Sequence, residues 1–519
     1  MDADEVFEVI GEFGWQQKKY FLFAGMIGGI YTSGQLLQII FTGASPTFVC
    51  YGHAGEAFNN TCFFDNKPES CKRLVYTSEF TSMATEWDLI CSQAYQIKAV
   101  QSVFMAGVLI GAWLFGQISD KIGRYKTMLL THVGLLSFST FGGFVPNIQL
   151  HAVCRFMAGV NQGGIGMIVY VWLTEMIAWV QVFFSLGIGF HAFLAFLLPN
   201  WRQFTAVCSL WGLVLIIPFF WIQESPRWLL IHGHSLEAKR VLQLIAEGNG
   251  TAHRLPENWD LRENNRGSKK KHGASVLFKH KILRKQLVIQ LFSWSTNSLL
   301  YYALTLAAGS LAGNIYLNTT LSGFIELPSI LITTCLLDWL GRRWSLCGFM
   351  IFGGFTCIII QILSTGEEMN GFQVALALLG KMSITASFTV IYVYSTELLP
   401  TVIRNLGLGI LSSAARIGGI LSSFISLLDD VYPLLQYTIL GFFAIVAGIF
   451  NTWLPETLGK PLPEDIDDIR DYNEPSPTHV ETHQLLPLEP QNLLVEDEEE
   501  TSSEKEFNLE ETMSILKTR

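Results

Sequence analysis

Residues 116–124 have the sequence Gly116-Gln-Ile-Ser-Asp120-Lys-Ile-Gly123-Arg124, and residues 338–343 have the sequence Asp338-Trp-Leu-Gly341-Arg342-Arg343. In both stretches an acidic residue, a glycine and a basic residue follow a long apolar segment. A glycine in this position is typical of a tight turn between two elements. The two stretches therefore indicate that the chain consists of two related halves.

Two further pairs of stretches support this duplication. Residues 170–175 are Tyr-Val-Trp-Leu-Thr-Glu, and residues 392–397 are Tyr-Val-Tyr-Ser-Thr-Glu. Residues 224–227 are Glu-Ser-Pro-Arg, and residues 455–459 are Pro-Glu-Thr-Leu-Gly. Duplicated helical halves around a site at the membrane midplane are typical of alternating-access carriers.

The composition predicts an all-α membrane protein. Half of the 519 residues are hydrophobic and 15% are charged, so the apolar surface exceeds what a soluble domain can bury. A membrane span needs about 20 mostly apolar residues. Twelve segments qualify, six in each half, and we predict spans at 20–42, 98–118, 127–146, 150–172, 178–199, 203–223, 286–307, 315–337, 344–364, 373–395, 405–428 and 433–454.

Lysine and arginine residues assign the orientation of the spans. They gather after spans two, eight and ten and between spans six and seven, which favours the cytoplasm for those loops and for both termini. The first apolar segment is too long for a signal peptide and lacks a cleavage pattern. The predicted parts are a cytoplasmic N-terminus at 1–19, a six-helix bundle at 20–223 with an extracellular loop at 43–97, a cytoplasmic linker at 224–285, a second bundle at 286–454 and a cytoplasmic tail at 455–519.

The predicted extracellular loop carries modification candidates. Cys50, Cys62, Cys71 and Cys91 can form two disulfides in one of three connectivities, or they remain buried or reduced thiols. Asn59 begins an Asn-Asn-Thr sequence and is a candidate glycosylation site.

Asn249 begins a second such sequence, Asn-Gly-Thr. It lies in the linker that the charge pattern assigns to the cytoplasm. We therefore expect it to remain unmodified.

The acidic net charge belongs to the tail. Residues 456–519 contain 18 acidic and 5 basic residues, whereas the whole chain has a net charge of −10. The tail composition predicts disorder, and the rest of the chain gives no reason to expect a nucleic-acid partner. The tail also contains two acidic dileucine sequences, one with Glu481, Leu485 and Leu486 and the other with Glu489, Leu493 and Leu494. They predict a clathrin-adaptor partner, although such short patterns also recur by chance. The predicted location is the plasma membrane, with endosomal or lysosomal membranes as the alternative.

Several longer motifs resemble the major facilitator superfamily and, within it, solute carrier family 22. They are Gln223-Glu-Ser-Pro-Arg-Trp228, Thr396-Glu-Leu-Leu-Pro-Thr-Val-Ile-Arg404-Asn-Leu-Gly407 and Pro455-Glu-Thr-Leu-Gly-Lys-Pro-Leu462, together with the cysteine-bearing loop. The resemblance extends to about residue 470. The stretch from Leu304 to Pro328 looks most like the carnitine and zwitterion carriers of that family, and the resemblance implies a transporter of small organic ions.

Four ionisable residues within predicted spans are candidates for transport: Arg155, Glu326, Lys381 and Arg416. Such groups cost about 2.5–3.5 kcal/mol at the bilayer centre, so they usually pair or line a cavity. Arg416 stands near the middle of span eleven, and the resemblance implies a cation that holds a substrate carboxylate; alternatively, it neutralises Glu326 or another buried acid. We expect Arg155 and Lys381 to lie near helix ends and reach the interface. Glu326 has a substrate or a packing role beside Pro328.

An aromatic face on span seven is the second part of the predicted site. Trp294, Ser298, Tyr301 and Tyr302 fall on one helical face. The resemblance implies that Trp294 and Tyr301 line the central cavity, where rings attract an ammonium group. Packing is the alternative. An arginine for carboxylate and aromatic rings for ammonium would suit a zwitterion.

Charged residues at the predicted cytoplasmic helix ends are candidates for a gate, because ion pairs there can form in one conformation and break in another. Signalling of topology by the basic residues alone is the alternative. The candidates are Asp120, Arg124, Glu175, Asp338, Arg342, Glu397 and Arg404.

The first half departs from the repeat after Glu175. The interval from Glu175 to Glu224 is 49 residues, whereas that from Glu397 to Glu456 is 59. Spans four and five are therefore joined by almost no loop. This shortening puts the transport rate in doubt, but not the fold.

These observations predict a secondary or facilitative carrier of zwitterions such as carnitine or ergothioneine, with Na⁺ or H⁺ as possible coupling ions. No phosphate-binding loop, nucleophile or metal-ligand constellation predicts an enzyme or a cofactor. An organic anion transporter and a non-transporting pseudo-carrier with an adaptor-binding tail are the alternatives. Membrane lipid is a further expected partner, because the basic linker can contact anionic headgroups. The alternative is that the linker is only solvated.

Overall fold

The computed structural model is mainly helical. It describes residues 3–11, 14–51, 57–59, 73–77, 80–172, 177–256, 259–261, 275–307, 309, 313–363, 370–430, 435–460 and 462–463. The predictions for Cys62, Cys71, Glu175 and the tail residues from Glu481 to Leu494 concern residues outside these ranges.

Each of the twelve predicted spans contains helix among its described residues. The α-helices are α1 (Ala3–Ile10), α2 (Trp15–Gly25), α3 (Thr32–Leu37), α4 (Ile39–Thr42), α5 (Met83–Glu86), α6 (Tyr95–Ile122), α7 (Arg124–Gly142), α8 (Ile148–Trp172), α9 (Ile177–Leu197), α10 (Trp201–Leu210), α11 (Pro226–Ile231), α12 (Ser235–Asn249), α13 (Ser275–Lys279), α14 (Lys281–Ala307), α15 (Ile315–Phe324), α16 (Glu326–Leu340), α17 (Arg342–Leu363), α18 (Asn370–Leu398), α19 (Arg404–Ile425) and α20 (Leu435–Asn451). Within the described residues, six helical segments are long and apolar enough to cross a membrane.

Some of the spans are not continuous α-helices. A π-helical segment, Met26–Tyr31, joins α2 to α3, and a 3₁₀ segment, Trp211–Phe220, continues α10. The 3₁₀ segment contains Pro218, which lacks the N–H that an α-helix would use. In span eight α15 ends before α16 begins, and Pro328 lies in the first turn of α16, where proline is tolerated.

Helices α6 and α8 cross at close range through small residues. A Cβ on Gly111 would lie 1.8 Å from the Val160 carbonyl oxygen, and one on Gly159 would lie 2.2 Å from that of Phe104. Only glycine permits this backbone contact, which is typical of helix packing in membranes.

The predicted extracellular loop contains a small sheet that the all-α prediction missed. Strands β1 (Phe48–Tyr51), β2 (Ala57–Asn59) and β3 (Arg73–Tyr76) pair antiparallel in the order β2-β1-β3. Cys50 lies on β1 opposite Phe58 and Leu74. Cys50 and Cys91 are each disulfide-bonded. Asn59 is exposed at the end of β2.

A clasp on the same side ties α5 to the start of α10. Arg202 Nε donates to both carboxylate oxygens of Glu86 at 3.0 Å, and Trp201 Nε1 donates to the same carboxylate. Burial raises the pKa of Glu86, but the hydrogen bonds from Arg202 and Trp201 outweigh it and hold the pKa below its ordinary value. The clasp therefore favours the ionised carboxylate.

We call the face that carries residues 116–124 and 338–343 the motif side. On it, α1, α11 and α12 form a layer with its own apolar core, which includes Val6, Ile10, Leu242 and Ile245. This layer includes part of the predicted linker. Asn249, at the end of α12, accepts a hydrogen bond from the Gln16 backbone N–H at 2.8 Å and donates to Gln17 Oε1 at 2.8 Å.

Candidate functional site

Matching carboxylates cap one helix in each half. Glu224 Oε1 accepts the backbone N–H of Arg124, the first residue of α7, at 2.8 Å. Glu456 Oε1 accepts that of Arg342, the first residue of α17, also at 2.8 Å. A negative charge at a helix N-terminus satisfies free N–H groups and interacts favourably with the helix dipole.

The gate candidates on the motif side form pairs within each half. Arg124 lies 2.7 Å from Asp120, and Arg342 Nε donates to Glu397 at 3.1 Å. Asp338 is exposed and makes no ion pair with any described residue.

Arg404 also makes no ion pair within the described ranges; its Nε donates to the Leu399 carbonyl oxygen at 3.2 Å. The structure thus connects four of the six described gate candidates. A role for them in gating stays a prediction.

A buried ion pair lies between the spans of the second half. Lys381 Nζ is 3.1 Å from Glu326 Oε1 and donates to Ser322 Oγ at 2.7 Å. Lys381 is 1% exposed and is the twelfth residue of the 29-residue helix α18. The expectation that Lys381 lies near a helix end was therefore wrong. Its charge is compensated by Glu326 and does not need water at a helix end.

The same carboxylate connects the two halves. Tyr301 on α14 donates its hydroxyl proton to Glu326 Oε1 at 2.8 Å, and Ser185 on α9 of the first half donates to Oε2 at 2.8 Å. Glu326 therefore accepts hydrogen bonds from both halves. A buried carboxylate is retained only where it is paired and hydrogen-bonded in this way.

Arg416 has a different environment. It donates to Ser412 Oγ at 2.6 Å and to the Ser412 carbonyl oxygen at 3.1 Å, and its charge lies beside the Tyr392 side chain. No carboxylate of the described ranges lies within ion-pair distance of it, so the alternative pairing with Glu326 is not formed. Its Nε is buried without a hydrogen-bond partner among the described residues.

Aromatic rings form a continuous row from α14 to α18. The ring centroids of Trp294 and Tyr392 are 4.4 Å apart, those of Tyr392 and Phe388 are 5.7 Å apart, and those of Phe388 and Tyr301 are 5.6 Å apart. Tyr302 follows at 5.3 Å from Tyr301. Trp294 is 1% exposed and donates to Ser395 Oγ, so its ring is held in place against that of Tyr392.

Arg155 is buried in the first half. It is 2% exposed, donates to the Gln35 carbonyl oxygen at 2.9 Å and lies 4.1 Å from the Phe104 ring centroid. The expectation that it reaches the interface was therefore wrong. The Phe104 ring and the α3 backbone provide its contacts instead.

Sequence analysis missed Tyr392 and Phe388 as members of the row and Ser185 as a partner of Glu326. Tyr392 could have been predicted from the sequence, because it begins the repeated stretch 392–397 and lies four residues after Phe388, on the same helical face. Ser185 had no such signal, since its role depends on the packing of α9 against the second half.

The two halves also meet on the side opposite the motif side. Tyr316 on α15 stacks on Phe41 of α4, with centroids 5.8 Å apart, and meets Phe196 of α9 edge-on at 5.6 Å. These three rings belong to both halves, so any separation of the halves on this side must part them.

A family model described as "Sugar (and other) transporter" matches residues 54–467. The relative "Solute carrier family 22 member 15-like" of Xenopus tropicalis is 37% identical over 486 residues, covering 91% of this chain and 96% of its own. The "Organic cation transporter protein" of Drosophila melanogaster is 30% identical, covering 92% and 96%.

Solved structures give the same fold. The crystal structure of a D-xylose-proton symporter has a TM-score of 0.60 at 17% identity and covers 85% of this chain and 98% of its own. The xylose transporter XylE from E. coli in an inward open conformation has a TM-score of 0.59 at 15% identity, with 87% and 99% covered. These neighbours are transporters and not enzymes. The chain belongs to solute carrier family 22 of the major facilitator superfamily and is similar to its member 15.

Proposed function

We propose that this transporter carries a small organic ion with a carboxylate, and in particular a zwitterion such as carnitine or ergothioneine. The observation that supports the proposal is the charge balance of the site. Lys381 is compensated by Glu326, whereas Arg416 has no carboxylate partner among the described residues. A guanidinium in a poorly hydrated site favours an anionic group, and a carboxylate fits it with two parallel hydrogen bonds.

The aromatic row supplies the second half of a zwitterion site. Tyr392 contacts both Arg416 and Phe388, so a ligand whose carboxylate binds Arg416 has ring faces within reach. Ring faces attract an ammonium group by about 0.5–2 kcal/mol. An "Organic cation/carnitine transporter 4" of Arabidopsis thaliana, 31% identical over 87% of this chain, is consistent with this class of ligand.

The transport step proposed here is a rocking of the two halves around this site. The Phe41, Tyr316 and Phe196 contacts would open on one side, and the charged groups of the motif side would rearrange on the other. Coupling to Na⁺ or H⁺, a plasma-membrane location with cytoplasmic termini, and adaptor binding by the tail are further parts of the proposal.

Uptake by cells that express the full chain tests the substrate assignment. Labelled carnitine and ergothioneine are compared with choline, which lacks the carboxylate, and with benzoate, which lacks the ammonium. Arg416→Ala should lower uptake affinity about 30-fold, since the loss of a buried charge partner costs about 2 kcal/mol or more. Arg416→Lys should restore part of the loss. Lys126→Ala, at an exposed position, is the control, and surface labelling corrects for trafficking.

Each outcome has a distinct meaning. Choline uptake that is unaffected by Arg416→Ala would contradict the carboxylate assignment. Benzoate uptake that depends on Arg416 would favour an organic anion transporter.

A pseudo-carrier remains the second candidate because spans four and five are joined so closely, with α8 ending at Trp172 and α9 beginning at Ile177. No uptake of any probe despite surface expression would support it. Insertion of the ten residues that the second half has after Glu397 into the first half after Glu175 is then the next test.

A further inference from the structure

A cavity of about 300 Å³ lies between α16, α17 and α18, away from Arg416 and the aromatic row. This volume is at the lower end of the ~300–1,000 Å³ typical of small-molecule sites. The cavity is in the part of the second half nearest the motif side, because its lining includes the end of α16 and the start of α17. The residues that line it are Ser329, Ile332, Leu336, Leu340, Trp344, Ser345, Gly348, Phe349, Phe352, Met382, Ser383 and Ala386.

The cavity opens toward lipid. Phe352, Phe355, Ile359 and Ile362 are exposed apolar residues on α17, and their spacing puts them on one face of the helix. An apolar face of a membrane-spanning helix that no protein covers is in contact with hydrocarbon. Phe352 belongs both to this face and to the rim of the cavity.

The walls offer almost no hydrogen bonding. Ser329 Oγ donates to the Met382 carbonyl oxygen and Ser383 Oγ donates to that of Phe349, both at 2.7 Å. Ser345 Oγ donates to the Leu336 carbonyl oxygen at 3.4 Å. The lining serines are thus occupied by the protein, so the part of a ligand inside this cavity is hydrocarbon.

The mouth has the opposite character. Trp344 is half-exposed, and the Arg343 guanidinium lies 4.7 Å from its ring centroid. The Arg343 guanidinium also donates from Nη1 to the Leu454 carbonyl oxygen at 3.3 Å, whereas its Nε is buried without a hydrogen-bond partner in the described ranges. Tryptophan beside a basic residue at a span end is typical of the level of lipid headgroups, and a guanidinium binds phosphate well.

We propose that this cavity is a phospholipid site, in which one acyl chain fills the space between α16, α17 and α18 while the phosphate binds at Arg343. In the predicted orientation the lipid comes from the cytoplasmic leaflet. Its chain would contact Met382, the neighbour of Lys381 in the buried ion pair. The lipid would thereby hold α18 against α16 from the membrane side.

Gly348 provides a test that does not disturb the helix packing. A Cβ on Gly348 meets no atom within 4 Å, so Gly348→Phe fills the cavity. A Cβ on Gly371, at the other end of the membrane in α18, likewise meets nothing within 4 Å, and Gly371→Phe is the matched control. The full chain in nanodiscs is exposed to phosphatidylserine, phosphatidylcholine or free fatty acid with a diazirine near the end of an acyl chain. The crosslinked peptides are identified by mass spectrometry.

We expect both phospholipids to label peptides that contain Phe349 or Met382, at least five-fold above the free fatty acid. Gly348→Phe should remove this labelling and Gly371→Phe should not, whereas Arg343→Gln should lower it for phospholipid alone. Equal labelling in Gly348→Phe and Gly371→Phe would overturn the proposal, because it indicates lipid at the protein surface only. Strong labelling by the fatty acid that is unaffected by Arg343→Gln would overturn the headgroup assignment. None of these results depends on whether the chain transports a zwitterion.

Discussion

At the scale of single residues, the buried pair of Glu326 and Lys381 differs in its consequences from Arg416, which has no carboxylate partner among the described residues. In the pair, Lys381 compensates the charge of Glu326, and Tyr301 and Ser185 donate to one carboxylate oxygen each. We propose that a ligand carboxylate completes the surroundings of Arg416. Stability should therefore depend on the pair, and substrate affinity on Arg416.

Lys381→Met should destabilise the protein by about 3–5 kcal/mol, because it leaves Glu326 buried without a counter-charge. The double variant Glu326→Gln, Lys381→Met should recover most of this loss, since neither charge remains. Thermal unfolding in detergent measures both, with Lys126→Met as an exposed control. A double variant as unstable as the single one would show that the pair is not the source of the effect.

Residue types could be predicted at this scale, but their partners could not. The ionisable residues within spans were identified because each is costly in hydrocarbon. Which acid pairs with which base depends on the rotation and depth of each helix. For this reason the predicted position of Lys381 near a helix end was wrong, and Ser185 was not predicted as a partner of Glu326.

At the scale of elements, a turn with a glycine, Gly123 or Gly341, precedes a helix in each half. Both glycines have a positive φ, +106° and +81°. A Cβ on Gly123 would lie 2.2 Å from Glu224 Oε2, and one on Gly341 would lie 2.7 Å from Glu456. The same turn and the same carboxylate cap thus begin α7 and α17.

Gly123→Ala should cost more than a positive φ alone. The strained backbone costs about 1–3 kcal/mol, and displacement of the Glu224 cap adds about 0.5–2 kcal/mol. Gly313→Ala is the matched control, because Gly313 has φ +103° with nothing within 4 Å of its Cβ position. Thermal unfolding should show a larger loss for Gly123→Ala; equal losses would mean that the cap contributes nothing.

The elements were largely predictable, and the fold prediction was confirmed, because twelve apolar stretches of span length leave few alternatives. The β-sheet was missed for a physical reason. Its strands are three to four residues long and lie in a polar loop, so they carry too little periodicity to be recognised.

At the scale of the whole molecule, glycosylation at Asn59 and Asn249 tests the predicted orientation in the membrane. Asn59 is exposed in the predicted extracellular loop, whereas the amide of Asn249 is engaged by Gln16 and Gln17. In mammalian cells we expect Asn59→Gln to increase electrophoretic mobility to that of the deglycosylated protein. Asn249→Gln should leave the glycan unchanged. A mobility change in Asn249→Gln alone would reverse the orientation.

In the predicted orientation, Asn249 also distinguishes a correctly inserted molecule from one inserted upside down. A molecule inserted upside down would present the Asn-Gly-Thr sequence to the glycosylation machinery of the endoplasmic reticulum. A sugar on the side-chain nitrogen would then occupy the group that binds Gln17 and would prevent α12 from joining the N-terminal helices. We therefore propose that this sequence separates the two insertion topologies by their ability to pack α12 against the N-terminal helices.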